Sequence, residues 1–319
     1  MISSLQDGSE FPVSPSGAII EVTFGVQNKS ALELLDGLGL FRRAGFYNNL
    51  PGRGLSLNQM GKLALRCFGV GDGWPCADRN HASFLYRFDQ VSILVDCGEP
   101  VSSSYKASGL PYDAIDRIFI SHLHFDHIAG FFMLMQGFWL EQRKKTLPVH
   151  LPAAGIKPFG QLLNAAMVFK ELLQFRLRFE GLRAGKAVVT RGVRVVPYRS
   201  SHLAQLKKAF QKKYPQRFDS FSFLIEAGRV RIGHSADLGR PEDLEPLLKK
   251  PLDLLVCELA HFKAEDLFRY LKRRDIKRIV FVHLTRPYWE NLQKTRQLAA
   301  KMLPGIPCSF PRDNEEITI

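Results

Sequence analysis

Residues 122–127 read His-Leu-His-Phe-Asp-His, which puts three imidazoles and one carboxylate within six residues. Nitrogen and oxygen donors in this mixture suit zinc or a similar divalent ion. A group of solvated loop histidines is the plain alternative. It is disfavoured because Ile118, Ile120, Ile128 and Phe131 flank the segment, and charge set among apolar neighbours needs partners. Three further candidates lie far away in sequence. His202, Asp237 and His283 each stand at or just beyond the end of a predicted strand. Separate strands can bring their ends to one rim, where ligands distant in sequence converge. A pair of ions held there would activate water and polarise a phosphoryl or carbonyl oxygen, the chemistry of metal-assisted hydrolysis.

The elements that must position these groups show as a rhythm. Residues 62–70 predict a strand, Gly71-Asp72-Gly73 a turn, and 83–88 with 92–96 a hairpin. A short buried strand at 117–121 runs straight into the histidine segment, so its donors sit where a strand end gives way to a loop. Further strands are predicted at 188–197, 222–226, 229–233, 252–258, 278–283 and 316–319, and helices at 157–174, 203–214, 241–249, 264–274 and 289–302. Strands alternating with helices in this way indicate an α/β layered domain. Residues 1–59 differ in texture: Gly, Ser, Pro and Asn recur around one helical stretch at 31–44. They are expected to be an N-terminal extension of unknown role, with the compact domain at 60–319.

A chain of 319 residues, 45% hydrophobic and 24% charged, has the balance of an ordinary folded protein. Its longest apolar stretches, such as 128–135, fall well short of the roughly 20 residues needed to cross a bilayer, so no membrane partner is expected. The N-terminus lacks the basic start and apolar centre of a secretory signal. Cys67, Cys76, Cys97, Cys257 and Cys308 are odd in number and form no Cys-x-x-Cys pair. Both features point to reduced thiols in the cytoplasm. The formal net charge of +13 favours anionic partners without specifying nucleic acid.

From about residue 62 to the end, the chain resembles the metallo-β-lactamase superfamily and, within it, the ribonuclease Z-like branch. The resemblance is carried by Gly69-Val70-Gly71-Asp72-Gly73 with Pro75, by Arg79-Asn80 and Ser83, by Leu94-Val95-Asp96-Cys97-Gly98-Glu99, and above all by the stretch from Ser121 to Gly130. It implies an α/β fold built as a four-layer αββα sandwich, and two divalent ions, zinc by default with manganese or iron as alternatives. Position by position, it implies that His122, His124 and His202 hold one ion, that Asp126, His127 and His283 hold the other, and that Asp237 bridges them. Asp126 would also orient or deprotonate the attacking water. Two positions depart from the pattern. Ala236 stands where the family usually has Gly, and Cys257 stands where ribonuclease Z proteins carry a His directly before the Glu, here Glu258. The second departure counts against tRNA processing. His261, one helical turn on, is a candidate substitute or, equally, an ordinary histidine. His81, His150 and His234 are assigned no role.

Beyond His202, Leu203, Leu206, Phe210 and Tyr214 recur at helical spacing, which leaves Lys207, Lys208, Lys212 and Lys213 on another face. A basic face beside a metal centre would favour phosphate-bearing substrates; a solvated face is the plain alternative. The basic arm that tRNA-cleaving relatives insert after the first histidine cluster has no obvious counterpart here. Phe131, Phe132, Phe138, Trp139 and Phe175 suit core, a pocket wall or the face of a homodimer instead.

The expected function is a metal-dependent hydrolase acting on a phosphodiester or other anionic ester, its substrate an anionic small molecule or nucleic acid. A tRNA 3′-processing endonuclease is the first alternative. A non-enzymatic metal-binding protein that retains the fold is the second, disfavoured by the complete ligand set.

Overall fold

The computed structural model describes residues 63–319. The expected extension at 1–59 and its helix at 31–44 lie outside them. The first part of the chain forms β1 (Ala64–Gly69), β2 (Ser83–Phe88), β3 (Val91–Val95), α1 (Val101–Ala107), β4 (Arg117–Phe119), α2 (Phe125–Leu140), β5 (Leu147–Leu151), α3 (Ile156–Ala165) and β6 (Leu177–Gly181). There follow β7 (Val188–Thr190), β8 (Val193–Arg199), α4 (Ala204–Phe210), β9 (Phe221–Ala227), β10 (Val230–His234), β11 (Leu254–Leu259), α5 (Ala264–Leu271), β12 (Ile279–Leu284), α6 (Arg286–Glu290), α7 (Leu292–Met302), β13 (Cys308–Ser309) and β14 (Glu315–Thr318).

Side-chain alternation decides how these elements stack. Leu65, Cys67, Phe84, Tyr86, Ile93 and Val95 face one side of β1 to β3, where they meet Val195, Phe223 and Ile225 of β8 and β9. The intervening Phe68, Leu85 and Leu94 face the other side, against Tyr105 of α1, Phe131 and Phe138 of α2 and Phe159 of α3. Strands apolar on both faces belong inside a layered fold. Among the described residues there are two seven-stranded sheets, ordered β14-β1-β2-β3-β4-β5-β6 and β13-β12-β11-β10-β9-β8-β7. Helices α1 to α3 cover the first, and Leu267, Phe268 and Leu271 of α5 with Ala299 of α7 pack under the second. This is the four-layer arrangement implied by the resemblance. Burying a large apolar side chain such as Phe131 or Phe138 contributes about 1.5–3 kcal/mol, so the covering helices are held firmly to their sheet.

Topology gathers one set of strand ends. Strands β3 to β6 run parallel, as do β10 to β13, and β8 is antiparallel to β9, which is antiparallel to β10. The C-terminal ends of β3 and β4 therefore share an edge of one sheet, and those of β8, β10, β11 and β12 share an edge of the other. Open α/β sheets place ligands outside such ends.

Several predicted elements differ from those observed. The strand at 188–197 is a hairpin of β7 and β8, because Arg191 and Gly192 both take positive φ (42° and 83°), the geometry of a tight two-residue turn. The helix at 157–174 stops at Ala165, where Met167 adopts φ 60° and the N–H of Val168 closes back on the Leu163 carbonyl at 2.9 Å. At 241–249 only a 3-10 turn forms, Pro241–Leu244, followed by further turns. The helix at 289–302 is two, α6 and α7, broken at Asn291 (φ −113°, ψ 39°). The helix at 203–214 is the shorter α4. Helix α2 was not predicted, because it is apolar nearly all round and carries little 3.6-residue periodicity. Strands β5 and β6 and helix α1 were likewise unanticipated.

Candidate metal centre

Strand β4 ends at Phe119, and α2 begins at Phe125, so His122 and His124 lie on the connecting segment while Asp126 and His127 occupy the first helical turn. That turn is fixed closely to the end of β3. The Cys97 N–H donates to the His127 carbonyl at 2.7 Å, and the Gly130 N–H to the Cys97 carbonyl at 2.9 Å. A Cβ on Gly98 would stand 2.3 Å from the Asp126 carbonyl oxygen, so only glycine allows this approach.

His202 follows β8 on a loop tied by Asp243, whose Oδ2 accepts from the Ser201 N–H and Oγ, each at 2.8 Å, and from the Gly239 N–H at 3.0 Å. The same carboxylate thus anchors the loop that carries Asp237. Ala236, directly before Asp237, has φ 45°. Glycine adopts this left-handed conformation without strain, which accounts for its usual place here, whereas alanine pays roughly 1–2 kcal/mol. His283, at the end of β12, also has positive φ (50°), and its N–H donates to the Val70 carbonyl at 2.8 Å.

These elements bring all seven expected donors together. Asp237, 2% exposed, divides its two oxygens. Its Oδ2 lies 3.7 Å from His122 Nε2 and 3.6 Å from His202 Nε2, while its Oδ1 lies 3.4 Å from His127 Nε2 and 3.6 Å from His283 Nε2. His124 Nδ1 sits 3.0 Å from His122 Nε2 and 3.2 Å from His202 Nε2. Asp126 Oδ2 sits 3.2 Å from the Nε2 atoms of both His127 and His283. Donors about 2.0–2.1 Å from a tetrahedral zinc would be about 3.3 Å apart, so the spacings match those of a coordination shell. His127 Nε2 and Asp237 Oδ1 are buried and engage in no well-formed hydrogen bond. Such atoms are costly unless something satisfies them, and a cation between the donors would do so.

Electrostatics agree. Burial alone would lower the pKa of His127, but the Asp237 and Asp96 carboxylates reverse this and hold it well above the ordinary value. Burial opposes protonation of His283 as well, yet Asp237 and Asp126 raise it to about 9. Asp126 and Asp237 are held low against burial by the same histidines. The Asp126 side of the centre therefore attracts positive charge. On the other side, burial lowers His122 and His124, and His202 to about 3, leaving neutral rings with free lone pairs. Neutral imidazole is the form that binds metal.

Supporting contacts orient the rings. Asp96 accepts from the Ser121 N–H at 2.7 Å and the Ser121 hydroxyl at 2.8 Å, and from His127 Nδ1 at 2.8 Å. Ser121 Oγ in turn accepts from His122 Nδ1 at 3.0 Å. With Nδ1 committed, each ring offers Nε2 to the centre. Asp96 appeared in the sequence only within a family marker; its role depends on a strand pairing that aligns it with residues 121 to 127.

His261 joins the site, and Cys257 does not. Glu258 is buried, and its oxygens accept from the N–H groups of Leu238 (2.8 Å), Ala260 (2.7 Å) and His261 (3.2 Å) and from His261 Nδ1 (2.9 Å). His261 Nε2 then faces Asp237 Oδ2 at 3.8 Å. Glu258, His261 and His283 also cluster, but those bonds occupy Glu258, which acts as a scaffold rather than a ligand. Strand alternation sends Cys257 away into the main core, with its thiol fully buried. The departure at position 257 therefore places a thiol in the core and leaves the donor cluster intact. Lys207, Lys208, Lys212 and Lys213 are exposed on or just beyond α4, outside the donor cluster, and α4 buries no side chain. Two exposed aromatics, Trp74 and Phe125, directly adjoin Gly73 and Asp126 in the chain. Gly73 itself lies against the Asp126 carboxylate, 3.5 Å from where its Cβ would be.

Comparison with known proteins agrees with this architecture. Residues 63–295 match the family described as the anti-Pycsar protein Apyc1. A ribonuclease Z from Archaeoglobus fulgidus is 30% identical over 131 residues, 41% of this chain and 42% of that protein. Another from Methanopyrus kandleri is 28% identical over 232 residues, 66% and 78% of the two chains. The chain thus spans less than half the length of the first of these relatives. Among solved structures, the metallo-β-lactamase fold protein YhfI from Bacillus subtilis superposes with a TM-score of 0.65 at 18% identity, covering 81% of this chain and 99% of that one. The short form of human tRNase Z superposes with a TM-score of 0.60 at 20% identity, covering 80% and 99%.

Proposed function

We propose that this chain, which belongs to the family of the anti-Pycsar protein Apyc1 and has the metallo-β-lactamase fold, is a metal-dependent phosphodiesterase. The observation that carries this reading is the division of Asp237, one oxygen toward His122 and His202 and the other toward His127 and His283. A carboxylate that presents one oxygen to each of two donor sets would suit a pair of divalent ions. His122, His124 and His202 would hold one ion, Asp126, His127 and His283 the other, and Asp237 both; zinc suits these donors best, with manganese or iron as substitutes. Such ions supply the positive charge that polarises a phosphoryl oxygen and acidifies water.

The remaining steps fall to the chain's own groups. Asp126 has a second carboxylate oxygen with which to accept a hydrogen bond from the attacking water and take its proton. As the water oxygen bonds to phosphorus, the bond to the leaving oxygen breaks, and that oxygen needs a proton. His261 is placed to supply it, because Glu258 holds Nδ1 and stabilises the imidazolium while Nε2 faces the centre. Glu258 is a positioning residue. Trp74 and Phe125 offer flat apolar surface beside the centre for the organic part of a substrate. The exposed lysines around α4 would add a weaker pull on anions.

RNA 3′-processing is the second reading, favoured by relatives named ribonuclease Z. Between α2 and β8 the described chain is occupied by β5, α3, β6 and β7, which leaves no evident arm to grip a tRNA. Cytoplasmic location suits the five free thiols, and among the described residues no helix is long and apolar enough to cross a membrane.

The deciding experiment loads the protein separately with zinc, manganese and iron, and assays bis(p-nitrophenyl) phosphate, cyclic nucleotides, precursor tRNA and acyl esters. Metal-dependent cleavage of the small phosphodiesters is expected. Cleavage of precursor tRNA alone would establish the second reading, and turnover of acyl esters alone would overturn both.

A further inference from the structure

At the end of the sandwich opposite the metal centre lies a cavity of about 480 Å³. It is built from strand beginnings. Asp116 and Arg117 enter β4, Lys145 precedes β5, Arg178 lies near the start of β6, Thr190 closes β7 and Arg191 opens the β7–β8 turn. His122 and His202 follow the other ends of β4 and β8. Because β8 has seven residues at about 3.3 Å each, the cavity and the metal centre are separated by roughly 20 Å.

Its charges do not balance. Arg117, Lys145, Arg178 and Arg191 line it, with Asp116 as the single acidic group among the lining residues. Asp116 Oδ1 already serves both Lys145 (2.6 Å) and Arg191 (3.4 Å), and its Oδ2 accepts from the Ser92 N–H at 2.8 Å. Arg178 pairs with Glu180 at 2.7 Å, but its Nε is buried without an acceptor among the described residues. Arg117 is only partly exposed and bonds to neutral groups, the Thr190 hydroxyl and His150 Nε2. Burial pushes the Arg117 pKa down, the mark of a cation short of solvent. Burial, then Arg117 and Arg178, lower His150 to about 3, so it contributes no compensating change of charge near neutral pH.

We propose that this cavity is an anion site that binds a small phosphomonoester. Guanidinium forks match phosphate oxygens in pairs, and three arginines converge here from both sheets. The volume is several times that of a phosphate group and falls in the range of small-molecule pockets, about 300–1,000 Å³, so the ligand carries an organic body. Pro148 and Val189 supply apolar wall for that body. The site is independent of the reaction proposed above, since none of its residues approaches the Asp237 cluster.

The test is calorimetric titration of the metal-loaded protein with 5′-AMP and, separately, inorganic phosphate. Wild type is expected to bind 5′-AMP more tightly than phosphate by about tenfold or more, and the Arg178→Gln/Arg191→Gln variant to weaken 5′-AMP binding by about tenfold. The variant should keep its turnover of bis(p-nitrophenyl) phosphate. Arg191 is exposed, so Arg191→Glu alone should reproduce the loss if the double variant folds poorly. His283→Ala, which damages the metal centre, should leave this binding in place. Unchanged affinity in the arginine variants, loss of binding in His283→Ala, equal affinity for phosphate and 5′-AMP, or no binding of 5′-AMP by wild type up to about 5 mM would each overturn the proposal.

Discussion

Asp96 and His127 meet at 2.8 Å in the interior, the carboxylate accepting from Nδ1 so that Nε2 is turned toward Asp237. The same carboxylate receives the Ser121 hydroxyl that holds His122. One buried side chain thus sets the ring orientation of a donor in each proposed ion site. Replacing Asp96 by Asn keeps the volume but removes an anionic acceptor shared by two donors. Metal titration of Asp96→Asn is expected to show affinity lower by about 10–100-fold. Wild-type affinity in a folded variant would mean that backbone geometry alone orients these rings.

His261→Ala should lower kcat on phosphodiesters by about 10²–10⁴-fold, with metal content unchanged. Wild-type activity should fall as pH rises and His261 loses its proton, and the variant should lack that limb. Burial disfavours the imidazolium, but Glu258 reverses this and raises the pKa. Glu258→Gln should therefore move the limb to lower pH. A wild-type pH profile in His261→Ala would remove it from the mechanism.

Cys257 packs in the core, so Cys257→Ala should cost about 1–2 kcal/mol of stability and leave kcat unchanged, as read by denaturant titration and steady-state assay. Cys257→His should overpack the core and destabilise by about 1–3 kcal/mol without creating precursor-tRNA cleavage. Gain of that cleavage would contradict the observed strand alternation.

His150 is stacked on Phe119 with ring centroids 4.6 Å apart and is neutral in the fold. Its pKa is lowered to about 3 from an unfolded value of 6.5, chiefly by burial and then by Arg117 and Arg178. The sign follows from proton uptake. Below pH 6.5 the unfolded chain takes up the proton first, so stability is lost progressively from there down to about pH 3 and no further from this group. Between pH 6.5 and 5 the loss is about 1.6 kcal/mol. The stability difference between wild type and His150→Gln should shrink by about that amount when measured at both pH values. A constant difference would assign the pH dependence elsewhere.

The amino-acid sequence by itself determined much of the candidate centre. Six consecutive residues carried four donors, His202, Asp237 and His283 stood at or just beyond predicted strand ends, and the family resemblance supplied their ligand roles. The layered α/β class followed from the alternation of strand and helix. Helix α2 stayed hidden because its residues are apolar on nearly every face, and the hairpin at Arg191-Gly192 because an Arg adopting positive φ leaves no compositional sign.

Only the tertiary structure decided what depends on register between distant segments. His283 and Asp126 are 157 residues apart in the chain and 3.2 Å apart in space. Which face of β11 carried Cys257 and which carried Glu258 was settled by one residue of strand phase, and with it the status of His261. Asp96 could be recognised as a support, and the arginines at the far end as one cavity, only once parallel strands had aligned their ends. Hydrophobic pattern is local and is written in the chain, whereas hydrogen bonds and charge balance depend on how sheets pair, twist and stack.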